Sequence, residues 1–429
     1  MNNRERKDMT DIFKINLQLF AEPNTQTTNS DNGGNLTAEM KTFYSKDLIE
    51  MLGANLVFLQ FGDKVALPKH GGKTIEWRRW AKFDKALKPL QEGVVPNGSP
   101  ISVGTVVTRI NQFGAFTTIS DLLELTAIDN VILEVTAKHA ENAQVTIDTV
   151  VRNKLCCGTN VLYADNIASG SPVKTETRGD LTSDCKLTLE MIARAVTTLK
   201  KANAPKIDGS YICVLHPSVA HDLLTNDKWI DVNSYSNATA IFNGELGKLY
   251  DVRFVESTEA PIFKGTDLAS GIASLTVTKA ESNVLTVNVS LSAEQADELA
   301  GKIVEITTEN TVESVVVRDV QGNQIVLDNP PTVTPTASTT ITPYGGGADN
   351  CAVYGCLFFG KGAYKVVSLD EKNVEIYVKG RGSAGTADPI DQISTIGWKA
   401  VGFGAEIAIP EYIVRVECGS FFSNEDQAN

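Results

Sequence analysis

The chain has 429 residues, 42% of them hydrophobic, and a formal net charge of −13. That length allows two to three compact units with a substantial core, and the composition carries no disorder signature over its bulk. No run approaches the ~18 apolar residues of a membrane span. The acidic balance argues against a nucleic-acid binder, whose affinity comes largely from basic side chains that neutralise phosphates.

The first residues, MNNRERKDMTDIFKINLQLFAEP, join a charged start to an apolar segment. Lys14, Asn16 and Gln18 interrupt that segment at every second position, which argues against a signal peptide. Residues 1–38 read as a polar arm, with Thr25 to Asn35 too poor in apolar groups to fold alone. Residues 39–64 become helical: Thr37 can cap, and Met40, Phe43, Tyr44, Leu48, Met51 and Leu52 recur at helical spacing.

Residues 65–117 read as a long two-stranded arm. Lys73 to Trp80 and Val103 to Ile119 are β-favouring, and the middle is rich in Pro, Gly and Lys. An isolated hairpin is marginal in water, so this arm is expected to lie on a neighbouring copy of the chain. Trp77, Trp80 and Phe83 would supply apolar contact area, and Arg78 and Arg79 planar forks suited to a neighbour's carboxylates. These five are the candidate inter-subunit contacts. The stretch Lys73 to Lys88, with Arg78, Arg79, Lys82 and Lys85, is the nearest thing to a nucleic-acid footprint, and it reads better as a solvated or subunit-facing strand pair.

A long helix is expected over residues 118–158. Ser120 can cap a first turn, and Thr126 with Asp129 makes a capping-box pattern opening a longer segment that ends near Gly158. Leu125, Ile128, Ile132, Val135, Ala143, Ile147, Val151 and Leu155 mark one apolar face. About thirty helical residues span roughly 45 Å. His139 lies on this stripe and reads as a packed or rim residue, because no second His or Cys stands at metal spacing.

An α/β region follows over residues 159–263, with a helix at Leu187 to Ala202, strands at Tyr211 to Leu215 and Val252 to Val255, and a helix opened by Pro217. Residues 264–349 change character, with alternating strands and turns at Glu281 to Asn283 and Gln321 to Asn323. They read as an inserted all-β barrel or sandwich with flexible flanks and a linker-like exit, NPPTVTPTASTTITPYGGG. Strands resume over 350–372 and 373–429, at Ala352 to Phe359, Tyr364 to Leu369, Val374 to Lys379, Ile396 to Phe403 and Tyr412 to Glu417. The fold class is α+β.

Three motifs invite chemistry and fail. Gly380, Gly382 and Gly385 spell G-x-G-x-x-G, but Asp388-Pro389 follows where a helix should open on a pyrophosphate. Gly72-Lys73-Thr74 resembles the end of a phosphate loop, yet Leu67 occupies the place of its earlier glycine. A Cys–His hydrolase would need a reactive thiol, and Cys156 and Cys157 close an apolar helix with no flanking nucleophile signature. The seven cysteines (Cys156, Cys157, Cys185, Cys213, Cys351, Cys356, Cys418) are odd in number and scattered, which suggests buried thiols in a reducing compartment. No catalytic, cofactor-binding or metal-ligating residue is expected.

Several strings resemble one family. FGDKVALPKHGGKTIEWRRW (Phe61 to Trp80), LKPLQEGVVP, QFGAFTTISDLLELTAID, NLQLFA (Asn16 to Ala21), GTNVLYAD (Gly158 to Asp165), HPSVAHDLL (His216 to Leu224), FNGELGKLYDVRFVES (Phe242 to Ser257), FFGKGAY (Phe358 to Tyr364) and DPIDQISTIGWKA (Asp388 to Ala400) look like the major capsid proteins of tailed bacteriophages, in the family typified by the coliphage N4 capsid protein. The resemblance covers nearly the whole chain except residues 264–349. It implies the Hong Kong 97-type capsid fold: N-arm, extended loop (65–117), long spine helix (118–158), axial domain (159–263 and 350–372) and peripheral strands (373–429), here with the insertion. It also implies a structural, non-enzymatic protein that assembles in the host cytoplasm and resides in the virion. Its partners would be its own copies in hexamers and pentamers, a portal protein, a scaffold or decoration protein, and double-stranded DNA enclosed in an icosahedral shell without sequence-specific binding. The shell is expected to be held non-covalently, since no buried carboxylate is evident beside Lys82, Lys85 or Lys88. An encapsulin-type compartment shares the fold and would enclose enzymes instead; a tail-tube or decoration protein would not need the spine helix.

Overall fold

The computed structural model describes residues 57–429 apart from 69, 71, 84, 86, 88, 90, 91, 94–97, 99, 128, 129, 169, 227–246, 310, 370–373 and 384–387, and also the backbone of Thr25–Gln26. The expected N-terminal arm and most of the first helix therefore lie outside the described residues.

In chain order the first strands are β1 (Asp63–Leu67), β2 (Thr74–Trp80), β3 (Val103–Arg109) and β4 (Asn111–Ser120). Helix α1 (Asp121–Thr126) and the 26-residue α2 (Val131–Cys156) follow. Then come β5 (Val161–Tyr163), α3 (Leu189–Lys201), β6 (Tyr211–Leu215), α4 (Pro217–Leu224) and β7 (Val252–Glu256). The segment expected as an insertion holds β8 (Leu275–Glu281), β9 (Val284–Val287), α5 (Ala293–Leu299), β10 (Ile303–Thr308), β11 (Thr311–Gln321), β12 (Gln324–Leu327) and β13 (Thr340–Pro343). The chain closes with β14 (Val353–Phe359), β15 (Tyr364–Leu369), β16 (Glu375–Lys379), β17 (Ile393–Ile407) and β18 (Ile413–Cys418).

The chain divides into two compact units. In the first (1–52, 113–143, 374–400), β4, the first half of β17, and β16 pair into a sheet. Ile119, Leu123, Val131 and Ile396 form its buried apolar cluster. Ser120 caps α1 by accepting from the Leu123 amide. The next cap differs from the capping-box expectation: Asn130 accepts from the Leu133 amide, Thr126 bonds back to the Leu122 carbonyl, and Asp129 lies outside the described residues. The first turn and the longer segment expected over 118–158 are two separate helices, and α2 is about 39 Å long. Leu125, expected on the apolar stripe, is 70% exposed because it belongs to the separate α1. His139 is buried, with its Nε2 2.9 Å from the Thr117 hydroxyl. Desolvation lowers its pKa, so it stays a neutral packing residue.

The second unit (53–112, 144–373, 401–429) is built on a seven-stranded sheet. Its central run is β5–β18–β14–β6–β7, with β18/β14 and β14/β6 antiparallel and β6/β7 parallel. Every residue of β6 (YICVL), β14 (VYGCLFF) and β18 (IVRVEC) is buried, as continuous apolar runs require when both faces are covered. The expectation that residues 373–429 are all peripheral strands is corrected here: 401–429 cluster with this unit, because β18 pairs with β14 and the second half of β17 pairs with β15.

Burial of β18 leaves two charges to satisfy, Arg415 and Glu417. Glu417 accepts from Arg178 Nε (2.7 Å) and Nη2 (2.9 Å), Arg415 Nε (2.9 Å) and the Tyr344 hydroxyl (2.9 Å). Burial pushes its carboxyl up, but the two guanidinium groups outweigh that and hold it below the usual range.

The inserted segment is a closed barrel in the order β8–β9–β12–β11–β10–β13, around its own core of Leu275, Val277, Leu285, Val304, Val317, Ile325, Leu327 and Ile341 among others. Three expectations are corrected. It is not all-β: Ser292 and Gln295 make a capping box that opens α5. The supposed linker exit contains β13, the strand that closes the barrel against β8 and β10. Its glycines serve close packing rather than flexibility: a Cβ at Gly345 would meet the Gly265 carbonyl at 2.7 Å, and one at Gly347 would overlap the Leu181 carbonyl. Polar ties then fasten the barrel to its host. Arg178 bonds Glu305 at 3.0 Å, Asn153 bonds the Gly301 carbonyl at 3.0 Å, and Lys154 bonds Asp328 at 2.8 Å.

Candidate assembly surface

The sequence TIEWRRW alternates, and antiparallel pairing with β3 sorts its side chains onto two faces. Cross-strand partners share a face. One face holds Ile75 opposite Thr108, Trp77 opposite Val106 and Arg79 opposite Gly104. The other holds Glu76 opposite Val107, Arg78 opposite Thr105 and Trp80 opposite Val103. The expected second strand, Val103 to Ile119, is in fact two strands: β3 ends at Arg109, and β4 leaves for the other sheet.

The first face is anchored within its own unit. Lys365 of β15 sits 4.9 Å above the Trp77 ring, a cation–π contact of about 0.5–1 kcal/mol at an exposed site. Arg79 Nη2 reaches Glu411 Oε1 at 2.6 Å and holds that carboxyl below the usual range. Thr108 is buried, and the backbone of β3 comes so close to β17 that a Cβ at Gly404 would meet the Arg109 carbonyl at 2.8 Å.

The second face carries nothing of the kind. Trp80 is 62% exposed, Val107 47% and Val103 41%, and beyond the paired strands Phe83, Leu87 and Ile101 are exposed too. Arg78 is exposed among them. Exposed Trp80, Val103 and Val107 beside Arg78 and Glu76 make a mixed apolar and charged face, as a protein interface presents before its partner arrives. The structure thus separates the five candidate residues: Trp77 and Arg79 are engaged in cis, whereas Arg78, Trp80 and Phe83 are displayed. Alternation was the available signal, since 77 and 79 share a parity that 78 and 80 do not.

Elsewhere the described residues hold no group of three or more His, Cys, Asp or Glu arranged for a metal ion, and no helix long and apolar enough to cross a membrane. Desolvation pushes the Cys156 thiol up to about 11 and the Cys157 thiol to about 12, which keeps both protonated and unreactive. Gly380 to Ser383 form a turn, and the rest of the glycine motif, 384–387, lies outside the described residues.

A family model described as phage capsid protein matches residues 103–296, a span that ends inside the barrel segment. No curated protein matches. Among solved structures, the chain is similar to the capsid of the cyanophage P-SCSP1u (TM-score 0.54, 12% identity, covering 91% of this chain and 97% of that one). It is also similar to the capsid asymmetric unit of cyanophage Pam1 (TM-score 0.54, 10% identity, 90% and 97%) and to the head of the Helicobacter pylori bacteriophage KHP40 (TM-score 0.51, 12% identity, 91% and 98%). The fold is therefore that of phage capsid proteins. The partial family match and the fold likeness both point to phage capsid proteins.

Proposed function

We propose that this chain is the major capsid protein of a tailed phage of the N4 type, and that its copies assemble as hexamers and pentamers into an icosahedral shell around double-stranded DNA. The observation that carries this reading is the two-faced hairpin: one face fixed to its own unit, the other offering Trp80, Val103, Val107 and Arg78 to a neighbour. A hairpin that meets a different surface on the next copy makes a heterologous contact, and such contacts close into rings and shells when the rotation allows. The net charge of −13 suits a container that must not adhere to its DNA. Assembly in the host cytoplasm, a portal, and a scaffold or decoration protein complete the proposal. The barrel is proposed to project from the outer surface, where an added ~80-residue domain does not compete with packed DNA.

Electron microscopy of the purified, expressed protein tests this. Closed icosahedral or tubular shells support it, and dispersed monomers at high concentration sink it.

A further inference from the structure

The displayed face of the hairpin has four cross-strand rows. Before the three from Glu76 to Trp80 comes a fourth, Thr74 opposite Arg109, and every residue of the four rows is exposed. The charges fall one to a row: Arg109, then Glu76, then Arg78, with Trp80 and Val103 last. Glu76 and Arg78 stand two residues apart on one strand, a separation of about 7 Å. None of these three charges has an ion-pair partner among the described residues, whereas Arg79, on the opposite face, has Glu411.

That order is self-complementary. A second hairpin can be laid face to face on the first by a two-fold axis that crosses the strands at the level of Trp77 and Val106. The row of Glu76 and Val107 then lies on the second copy's row of Arg78 and Thr105, and the row of Thr74 and Arg109 on its row of Trp80 and Val103. Each Arg78 meets the other copy's Glu76, and each Trp80 ring comes within reach of the other's Arg109 for a cation–π contact. No charge faces its like. A two-fold contact has this requirement, that residue i meets j while j meets i. Arg78 alone would call for a carboxylate on some other surface; Glu76 beside it supplies that carboxylate from an identical chain.

We propose that, before it assembles, this chain pairs with a second copy through this face, hairpin on hairpin, and that the pair masks the exposed apolar side chains until the shell contact displaces it. The masking role rests on the proposed shell; the dimer itself does not. Two strands of seven residues present about 24 Å by 10 Å, or roughly 500 Å² over both copies, against the ~1,600 Å² of a standard interface. The dimer is therefore weak and in exchange with monomer, as a contact that gives way to shell growth must be. Its ion pairs lie in water, so added salt weakens it.

Sedimentation velocity of the full chain, over a concentration series below the onset of shell formation, tests this. The parent should pass from monomer to dimer as concentration rises and return toward monomer in high salt. Arg78→Glu alone and Glu76→Arg alone each set like charges against one another and should weaken the dimer about tenfold or more. The double variant, Glu76→Arg with Arg78→Glu, re-forms both pairs and should bring the dimer back, while circular dichroism stays native in all three. A parent that is monomeric at every concentration, a dimer indifferent to either single reversal, or a double variant that stays monomeric overturns the proposal. Electron microscopy reads the shell independently: the double variant should keep the dimer and lose the shell, because the different surface met in the shell is not reversed with it. A parent that dimerises in this way and never forms shells overturns the proposed function and leaves the dimer standing.

Discussion

The hairpin and the barrel both leave the second unit as excursions, and they treat their apolar residues in opposite ways. The barrel closes on itself and buries Leu285, Val304, Val317, Ile325, Leu327 and Ile341 to 0% exposure, whereas the hairpin leaves Trp80, Phe83, Leu87 and Ile101 more than 60% exposed. Their anchors differ in the same sense: Lys154 and Arg178 are buried where they hold the barrel, and the Arg79–Glu411 pair at the hairpin is about half exposed on both sides. An excursion with its own core and buried ties is part of the subunit. One with apolar side chains left in water offers a surface to another chain.

Breaking the displayed face should have the largest effect. Arg78→Glu with Trp80→Ala should abolish assembly, read as loss of fast-sedimenting material, while the unfolding free energy stays within about 0.5 kcal/mol of the parent, as surface substitutions do. Unchanged shell yield would mean that the hairpin's outer face is not the contact. Next comes the anchor beside the barrel. Arg178→Ala deprives buried Glu417 of two bonds and Glu305 of its partner, so urea denaturation should show a loss of about 3–5 kcal/mol. Gly404→Ala should cost less, about 1–3 kcal/mol, by forcing β17 from the β3 backbone. Faster proteolysis within 73–110 is the accompanying sign of a lifted hairpin.

The smallest effect belongs to Arg79→Glu alone, about 0–1 kcal/mol for a solvent-screened pair. Its pH dependence has a definite sign. The folded-state pKa of Glu411 is depressed by Arg79, so the contribution is present above the ordinary glutamate value of about 4 and lost as pH falls through the folded value. Proteolysis of the hairpin should therefore quicken on acidification in the parent and change less in Glu411→Gln.

Much of this was legible in the chain. The apolar runs of β6 and β14, the Pro217 start of α4, the Ser120 cap and the turns at Ser282 and Gly322 are local signals, and local signals survive folding. The barrel's alternation was equally plain. α5 was missed although Ser292 and Gln295 stand at capping-box spacing, because strands surround it on both sides. β13 was hidden by the prolines and threonines around it, and only its two neighbours make it a strand.

By itself the sequence determined most helices, strands and turns, that the hairpin has no core, and that residues 264–349 have one. Tertiary structure alone decided which of Trp77, Arg78, Arg79 and Trp80 face the chain itself, because that depends on where Lys365 and Glu411 arrive from some three hundred positions away. It alone decided that the glycines at 345–347 are packed rather than loose, since a glycine chosen for close approach and one chosen for freedom are the same letter. It also brought Lys154, Asp328 and Glu406 together. Charges that distant in sequence look like ordinary surface residues until folding strips water from all three at once.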